Sequence, residues 1–313
     1  MKKYLLPKSG TFYKANLHCH TVCSDGKYTP EQIKQKYMAE GYAVVAFSDH
    51  NRILPHPELR SRDFVPLTAI EIDFNAPAEH WSHTSVYHLN YFSPDPDRDS
   101  FLPFERVYDP DTISDLNLRA GAAGFLVQYN HPRWSFQSAG DFLPLKGLWG
   151  FEVYNTGCQI EMMNGWADYE YEICCRAGMR TVPIATDDNH NWAMDETSPY
   201  NDSFGGWTMI KAASLTYSNI FEAMKRGDLY ASTGPEIREL WVEKCVMHVK
   251  TSKVCGISFL TSGRETSTRR SCKDDLTEHC YAVPPHVKFV RVEIADSHGG
   301  RAFSRAYDIS ELL

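Results

Sequence analysis

Histidines and carboxylates recur along the first 190 residues in short motifs of the kind that bind metal ions. His18 and His20 stand at i and i+2, so on a strand both imidazoles point to the same face and can hold one ion. The further motifs are, in chain order, Ser24-Asp25-Gly26, Asp49-His50-Asn51, Glu71 after an apolar run, Asn130-His131-Pro132 and Asp187-Asp188-Asn189-His190. A single such motif is a weak signal, because polar residues at strand ends commonly cap helices or bond within loops. Their repetition along the chain favours a metal centre.

The mixture of donors indicates which metals and which chemistry to expect. Imidazole together with carboxylate suits Zn, Mn or Fe better than Ca or Mg, which prefer oxygen ligands. Two ions held about 3.5–4 Å apart lower the pKa of a bridging water toward neutrality and bind phosphoryl oxygens. A centre of this kind would hydrolyse its substrate with an activated water, without a protein nucleophile.

The secondary-structure elements that must position these residues are predicted to be βα units. Short apolar runs alternate with helix-like segments from residue 10 to about 230. We predict strands at residues 15–20, 42–47, 64–72, 85–92, 124–129, 150–154 and 181–185, and helices at 30–40, 112–123 and 166–177. The motifs lie at or just beyond the C-terminal ends of the strands, where the loops of a βα barrel converge and active sites lie.

The last quarter of the chain has a different pattern. After residue 235 the apolar runs are short and alternating, which predicts a small β domain of the sandwich type over residues 235–313. The turn from Ala231 to Pro235 is the predicted boundary, so residues 1–234 form the barrel. Residues 261–284 are polar and are predicted to form a loop.

Composition and charge narrow the class of protein. A net charge of -8 with a pI near 5.9 provides no basic surface for nucleic acid or an anionic membrane. No run approaches the roughly 20 apolar residues of a membrane span, and the N-terminus lacks the apolar core of a signal peptide. Nine cysteines without paired CxxC spacing predict reduced thiols and a cytoplasmic location.

The order of the motifs (HxH, SDG, SDHN, a lone Glu, NHP and DxH) resembles the PHP (polymerase and histidinol phosphatase) superfamily, in its metal-dependent phosphoesterase branch, over residues 14–192. The resemblance implies an α/β fold, a distorted (β/α)7 barrel, with a site for two or three ions. By position, it implies three ligand groups: His18, His20, Glu71 and Asp188 at the first ion; Glu71, His131 and one histidine of the 80s segment at the second; Asp25, His50 and His190 at the third.

Two positions in this ligand set have competing candidates. His80, His83 and His88 compete for one place. We favour His88 because a strand-like run follows it as in relatives, which leaves His83 as the alternative ligand or a residue facing substrate. Of the adjacent aspartates Asp187 and Asp188, we favour Asp188 as the ligand because it forms an i, i+2 pair with His190. Asp187, like Asp49, is then expected to support the ligands rather than to bind metal.

The predicted substrate is a small phosphorylated molecule of the nucleotide or sugar phosphate type. Arg133 follows the NHP motif, and its guanidinium would match phosphate oxygens. Asn51 and Arg52 are weaker candidates for the same contact. Trp134 and Trp192 flank motif residues and could stack on a base or sugar, although such residues more often simply pack.

Two other functions are compatible with parts of the pattern. An amidohydrolase also uses HxH on a barrel strand, but that class would more often need a bridging lysine, and no Lys ends a predicted strand. A catalytically silent, metal-bearing binding module would fit an incomplete ligand set better than the apparently complete set seen here.

The double variant His18→Ala, Glu71→Ala is expected to lose both bound metal and phosphatase turnover, because it removes two donors of the first predicted ion. Metal analysis of the purified protein and phosphate release check this. If both survived, the ligands would have to lie elsewhere in the chain.

Overall fold

The computed structural model describes residues 2–312, which form a mixed α/β fold around one large sheet. The strands are, in chain order, β1 (Lys2–Tyr4), β2 (Thr11–Asn16), β3 (Tyr42–Phe47), β4 (Val65–Asn75), β5 (Val86–Phe92), β6 (Leu126–Tyr129), β7 (Gly150–Asn155), β8 (Val182–Thr186), β9 (Trp207–Ala212), β10 (Leu229–Ser232), β11 (Ile237–Glu243), β12 (Val246–Val254), β13 (Gly256–Thr261), β14 (Ser267–Arg270), β15 (Leu276–Ala282), β16 (Phe289–Ala295), β17 (Arg301–Ser304) and β18 (Tyr307–Asp308). The helices are α1 (Pro30–Ala39), α2 (Pro110–Ala122), α3 (Ala139–Phe142), α4 (Thr156–Met162), α5 (Asp168–Ala177), α6 (Tyr217–Arg226) and α7 (Ile309–Leu312). Short 3₁₀ helices occur at Pro57–Leu59 and Trp81–His83.

Local sequence accounts for the element that opens the first βα unit. Thr29 caps α1: its side chain accepts from the backbone N–H of Gln32, whose side chain accepts from the backbone N–H of Thr29 in return. Pro30 occupies the first helical position, where its missing N–H costs nothing. Gly41 follows the helix with φ +78°, a conformation that glycine adopts without strain. The predicted helix at residues 30–40 therefore lies where the capping residues place it.

Strands β2 to β8 carry the predicted motifs, but they do not all run in parallel. β2, β3 and β4 are parallel, as are β6, β7 and β8, whereas β5 is antiparallel to both β4 and β6. The connection of residues 76–85 between β4 and β5 is too short for the helical crossover that a parallel pair requires. The uniform βα repeat predicted from the sequence is therefore interrupted at β5.

The two ends of this strand series approach each other. A bridge between Cys19 and Asn189 places the segment after β2 beside the segment after β8, and His20 N–H donates to the carbonyl of Asn189 at 3.1 Å. The ladder of named strands nevertheless ends at β8 rather than closing on β2. The described structure is thus a curled sheet, and a closed seven-stranded barrel is not shown.

The sheet continues beyond β2 into the C-terminal part of the chain. β2 pairs with β9, β9 with β10 and β10 with β17, after which β16, β13 and β14 complete the order. A second sheet of order β1-β11-β12-β15 faces these strands, and apolar side chains that include Leu240, Phe259 and Val292 fill the space between them. This packing has the character of a sandwich, while a domain division between residues 234 and 235 stays a prediction.

The prediction of a loop over residues 261–284 is wrong, because this segment contains β14 and β15. Both strands expose most of their side chains, so the segment has little of the apolar alternation from which a strand is recognised. Backbone pairing with β13 and β12 stabilises them instead. Among residues 2–312 no helix has both the length and the apolar character needed to cross a membrane.

Arg291 is a buried charge that links strand β16 to helix α5. Its side chain is only 4% exposed, and its guanidinium lies 2.8 Å from Glu172 of α5 and 3.2 Å from Glu293 of β16. A buried guanidinium is stable only with such partners, because desolvation disfavours an isolated charge.

The variant Arg291→Ala is expected to reduce the free energy of unfolding by about 3 kcal/mol, since it removes the buried cation beside Oε2 of Glu172, and the exposed Arg176 contacts only Oε1 of that carboxylate. Arg238→Ala is the matched control, because Arg238 pairs with Glu236 on an exposed surface and should cost below about 1 kcal/mol. Urea denaturation measures both. Equal losses would contradict a linking role for Arg291.

Candidate metal centre

Each strand from β2 to β8 contributes at least one side chain to a single cluster of imidazoles and carboxylates. The contributors are, in strand order, His18 and His20 after β2, His50 after β3, Glu71 in β4, His88 in β5, His131 after β6, Glu152 in β7, and Asp188 and His190 after β8, with Asp25 from the loop after His20. Side chains far apart in sequence meet because the C-terminal ends of the parallel strands lie at one edge of the sheet.

The innermost group consists of His18, His20, Glu71 and Asp188, all of them buried. The Nε2 atoms of the two histidines are 3.1 Å apart and lie 3.1 and 3.0 Å from the same oxygen, Oδ1 of Asp188. Oε1 of Glu71 is 3.2 Å from Nε2 of His18, and its Oε2 is 3.2 Å from Nε2 of His20. Two ring nitrogens and two carboxylates therefore point at one small volume.

The donors of this group fit a divalent cation. Oδ1 of Asp188 is buried and accepts no hydrogen bond, although two ring nitrogens lie close to it. Among the described residues, the ion-pair partners of Glu71 and Asp188 are histidines only, with no Lys or Arg. Buried carboxylates are normally paired with a cation or bind a metal. A metal ion would satisfy the unbonded oxygen and compensate both charges.

Glu152 belongs to this site and was not among the residues singled out from the sequence. Its Oε1 lies 2.6 Å from Nδ1 of His18, which leaves Nε2 of that ring directed at Asp188. Its Oε2 accepts from the backbone N–H of His131 and from Nδ2 of Asn155, both at 3.0 Å. A carboxylate on the far nitrogen fixes the tautomer and orientation of a metal-binding histidine. The available signal was a lone Glu within the apolar strand GFEVY.

A second group shares Glu71 with the first. Nδ1 of His88 is 3.0 Å from Oε1 of Glu71, and Nε2 of His131 is 3.5 Å from the same atom. Ser135 lies 3.1 Å from Nδ1 of His131, so Nε2 is the nitrogen left for an ion. His83 lies in an exposed 3₁₀ turn and is not brought to this group. The structure therefore places His88, rather than His83, next to Glu71.

A third group lies toward solvent. Asp25, His50 and His190 surround the outer side of His20, with Nε2 of His190 3.4 Å and Nε2 of His50 3.8 Å from Oδ2 of Asp25. The side chain of Asp25 is 44% exposed, in contrast to the buried residues of the first group. The three groups together thus run from the interior to the mouth of a cavity.

The surroundings shift the pKa values of these groups in opposite directions. Burial disfavours the charged form of His18, yet Asp188, Glu71 and Glu152 together raise its pKa well above its ordinary value. Burial, with His20 nearby, lowers the pKa of His50 to about 4. Because a histidine binds a metal in its neutral form, an ion entering the inner group would displace protons.

The backbone at the site is held in sparsely populated conformations. His131 has φ +24°, Asp188 has φ +53° and Asn51 has φ +57°, all in the left-handed region that non-glycine residues rarely adopt. Asp187 stabilises the turn at β8, because its carboxylate accepts from the backbone N–H groups of Phe204, Gly205 and Gly206. Burial raises the pKa of Asp187 to about 6.

Two further aspartates brace the loops that carry the ligands. Asp49 accepts from the backbone N–H of Thr21 at 2.8 Å and from the hydroxyl of Ser24 at 2.7 Å, which holds the loop that carries Asp25. Asp202 accepts from the backbone N–H of His190 at 2.7 Å. Asp202 was not singled out from the sequence, because it lies in an irregular segment without a motif.

The residues predicted to contact the substrate phosphate do not line the cavity of about 530 Å³ over the three groups. The guanidinium of Arg133 donates to Glu170 at 2.9 Å, Asn51 is bonded to Asp73 and Arg106, and the side chain of Arg52 is exposed. These polar partners draw the side chains away from the ligands. Trp134 and Trp192 do line the cavity, together with Cys158, Tyr200 and the candidate ligands other than His18 and His20.

No protein-family model and no curated protein matches the chain. Among solved structures, it is similar to a two-domain protein of Bacteroides vulgatus containing a predicted PHP-like metal-dependent phosphoesterase, at 14% identity and a TM-score of 0.48, over 97% of this chain and 98% of that one. A candidate metal-dependent phosphoesterase of Bifidobacterium adolescentis matches at 16% identity and a TM-score of 0.31, over 59% and 89%. An amidohydrolase of Chromobacterium violaceum with bound sulfate and no metal matches at 14% identity and a TM-score of 0.38, over 56% and 87%.

The variant Glu152→Gln is expected to weaken metal binding by about 10- to 100-fold, because the amide no longer fixes the tautomer of His18. Competition with a metal-binding indicator dye measures the affinity. Glu170→Gln is the matched control, since Glu170 contacts Arg133 and no histidine of the cluster. An affinity unchanged in Glu152→Gln would remove Glu152 from the site.

Proposed function

We propose that the chain is a metal-dependent phosphoesterase that hydrolyses a small phosphorylated substrate with two or three bound divalent ions. The observation that carries the proposal is the unbonded, buried Oδ1 of Asp188, which faces Nε2 of both His18 and His20. An oxygen in this position loses free energy unless a cation satisfies it. The second and third groups of donors extend the same arrangement toward the cavity.

The proposed ligands are those implied by the order of the motifs. His18, His20, Glu71 and Asp188 would hold the first ion, Glu71, His88 and His131 the second, and Asp25, His50 and His190 the third. Such imidazole and carboxylate sets suit Zn, Mn or Fe. Divalent ions in such a site supply a water of lowered pKa and positive charge for the oxygens of a phosphoryl group.

The protein itself contributes orientation and shape. Glu152 fixes the ring of His18, and Nδ2 of Asn130 donates to Oε1 of Glu71 at 2.8 Å, which holds the shared carboxylate in place. The cavity of about 530 Å³ has the size of a small-molecule site. Its walls include Trp134 and Trp192, which offer aromatic faces to the part of the substrate that lies beyond the phosphate.

The charges around the cavity favour a metal-dependent reaction over other uses. No Lys or Arg is among the described residues that line it, so the attraction for an anionic substrate has to come from bound ions. The same lining offers no lysine to bridge two ions as in an amidohydrolase.

All nine cysteines are unpaired thiols, and we propose a cytoplasmic location on that basis.

Chelator-stripped protein is expected to release phosphate only after Mn, Zn or Fe is restored. The substrate panel comprises phosphomonoesters, diesters, nucleoside monophosphates, histidinol phosphate and N-acyl amides, with metal content measured in parallel. Asp188→Asn should lower turnover by more than about 100-fold, since it removes charge from the first ion site. Asp115→Asn, on the exposed face of α2, is the control that should leave turnover unchanged.

The alternatives give different results in the same experiment. Protein that binds two or three ions per chain but cleaves no ester would be a metal-bearing binding module. Cleavage of the amides with no phosphate release would make it an amidohydrolase. Turnover that persists without metal would contradict the proposal itself.

A further inference from the structure

A second cavity of about 820 Å³ adjoins the proposed metal centre. It lies between the 76–85 connection on one side and, on the other, Trp134 and Phe136 after β6 and Met162 at the end of α4. His88, Trp134 and Glu161 line both cavities and form the wall that the two share. We call this second cavity the side groove.

The side groove has an apolar surface of a kind that soluble proteins seldom leave open. Trp81 is 82%, Phe136 52% and Met162 45% exposed, and Ala76 and Pro77 lie beside them. Contiguous exposed apolar side chains commonly mark a ligand-binding groove. Phe136 also has φ +55°, a strained conformation for an aromatic residue, which is typical of functional sites.

The position of the shared wall indicates which part of a ligand would occupy the groove. Nδ1 of His88 contacts Glu71, and the ring of Trp134 lies 5.6 Å from that of His88 and 5.2 Å from that of His131. A phosphoryl group bound near Glu71 would therefore have its ester oxygen within reach of the groove. The alcohol portion of a phosphoester is the only part that could extend there from the metal centre.

The charge at the wall restricts that alcohol portion further. Nε1 of Trp134 donates to Oε2 of Glu161 at 3.0 Å, which holds a carboxylate at the junction of the two cavities. Among the described residues, no Lys or Arg lines the side groove. A negative charge on the alcohol portion would meet Glu161 without compensation.

Building on the proposed function, we infer that the substrate is a phosphoester whose alcohol portion is an uncharged, apolar body with an aromatic ring that binds in the side groove. The enzyme then selects its substrate by apolar contact beside the metal centre, with the ions alone binding the phosphate. Esters of anionic alcohols are poor substrates.

Three esters with similar leaving-group chemistry test this on the metal-loaded protein. They are 2-phenylethyl phosphate, ethyl phosphate and 2-(4-carboxyphenyl)ethyl phosphate. We expect kcat/KM for the phenylethyl ester to exceed that for the ethyl ester by about tenfold or more, because burial of the ring contributes only when the groove holds it. The carboxylated ester should lose most of that advantage and regain part of it in Glu161→Gln.

Substitutions of exposed residues locate the effect. The double variant Trp81→Ala, Met162→Ala should bring the phenylethyl-to-ethyl ratio of kcat/KM close to one. Tyr169→Ala is the matched control, because this tyrosine is 66% exposed and lines neither cavity. Equal kcat/KM for the two esters, or a ratio that survives the double variant, would overturn the inference.

Calorimetry with 2-phenylethylphosphonate and ethylphosphonate separates this inference from the proposed function. If no ester is cleaved but the phenylethyl compound binds tighter and loses that advantage in the double variant, the groove binds apolar groups and only the catalytic proposal fails. Equal affinities for the two phosphonates would refute apolar binding in the side groove, whether or not the protein cleaves the esters.

Discussion

The structure around the site depends on one constraint, which is that Glu71 and Asp188 are buried carboxylates with no Lys or Arg beside them among the described residues. Their surroundings are imidazoles, which can be neutral or charged. Removing carboxylates from water is costly unless a compensating charge is present. The imidazoles supply it when protonated, and divalent ions would supply it when the imidazoles are neutral. Proton binding and metal binding therefore compete for the same site.

The fold holds these carboxylates and imidazoles close together in several ways. Seven strands bring their ends to one edge, and the bridge between Cys19 and Asn189 brings the first of them beside the last. Left-handed backbone at His131 and Asp188 turns these residues inward at a conformational cost. Carboxylates that do not belong to the proposed ligand set, at Asp49, Asp187 and Asp202, hold the loops by accepting backbone N–H groups. The hydrogen bonds around the cluster thus restrict how far its donors can move apart.

The cavity above the cluster and the adjoining side groove differ in the forces by which each would bind its part of a substrate. Its described lining has no cationic side chain, so the affinity for phosphate would vary with the ions. The adjoining side groove presents Trp81, Phe136 and Met162, which contribute by burial rather than by charge. Recognition of the phosphate and of the alcohol portion would then rest on different physical forces, and Glu161 at their junction would discriminate by charge.

The sequence by itself indicated most of the imidazoles and carboxylates that lie together, such as His18, His20 and His131, because short motifs at predicted strand ends can be recognised locally; their roles as metal ligands stay a prediction. It also determined most strands and helices, whose apolar period and caps are local properties, as at Thr29. Only the tertiary structure decided that β5 runs antiparallel, that Glu152 reaches His18 and that Arg133 turns to Glu170. These outcomes depend on which segments pack side by side, and pairing between residues distant in the chain leaves no periodic trace in either segment.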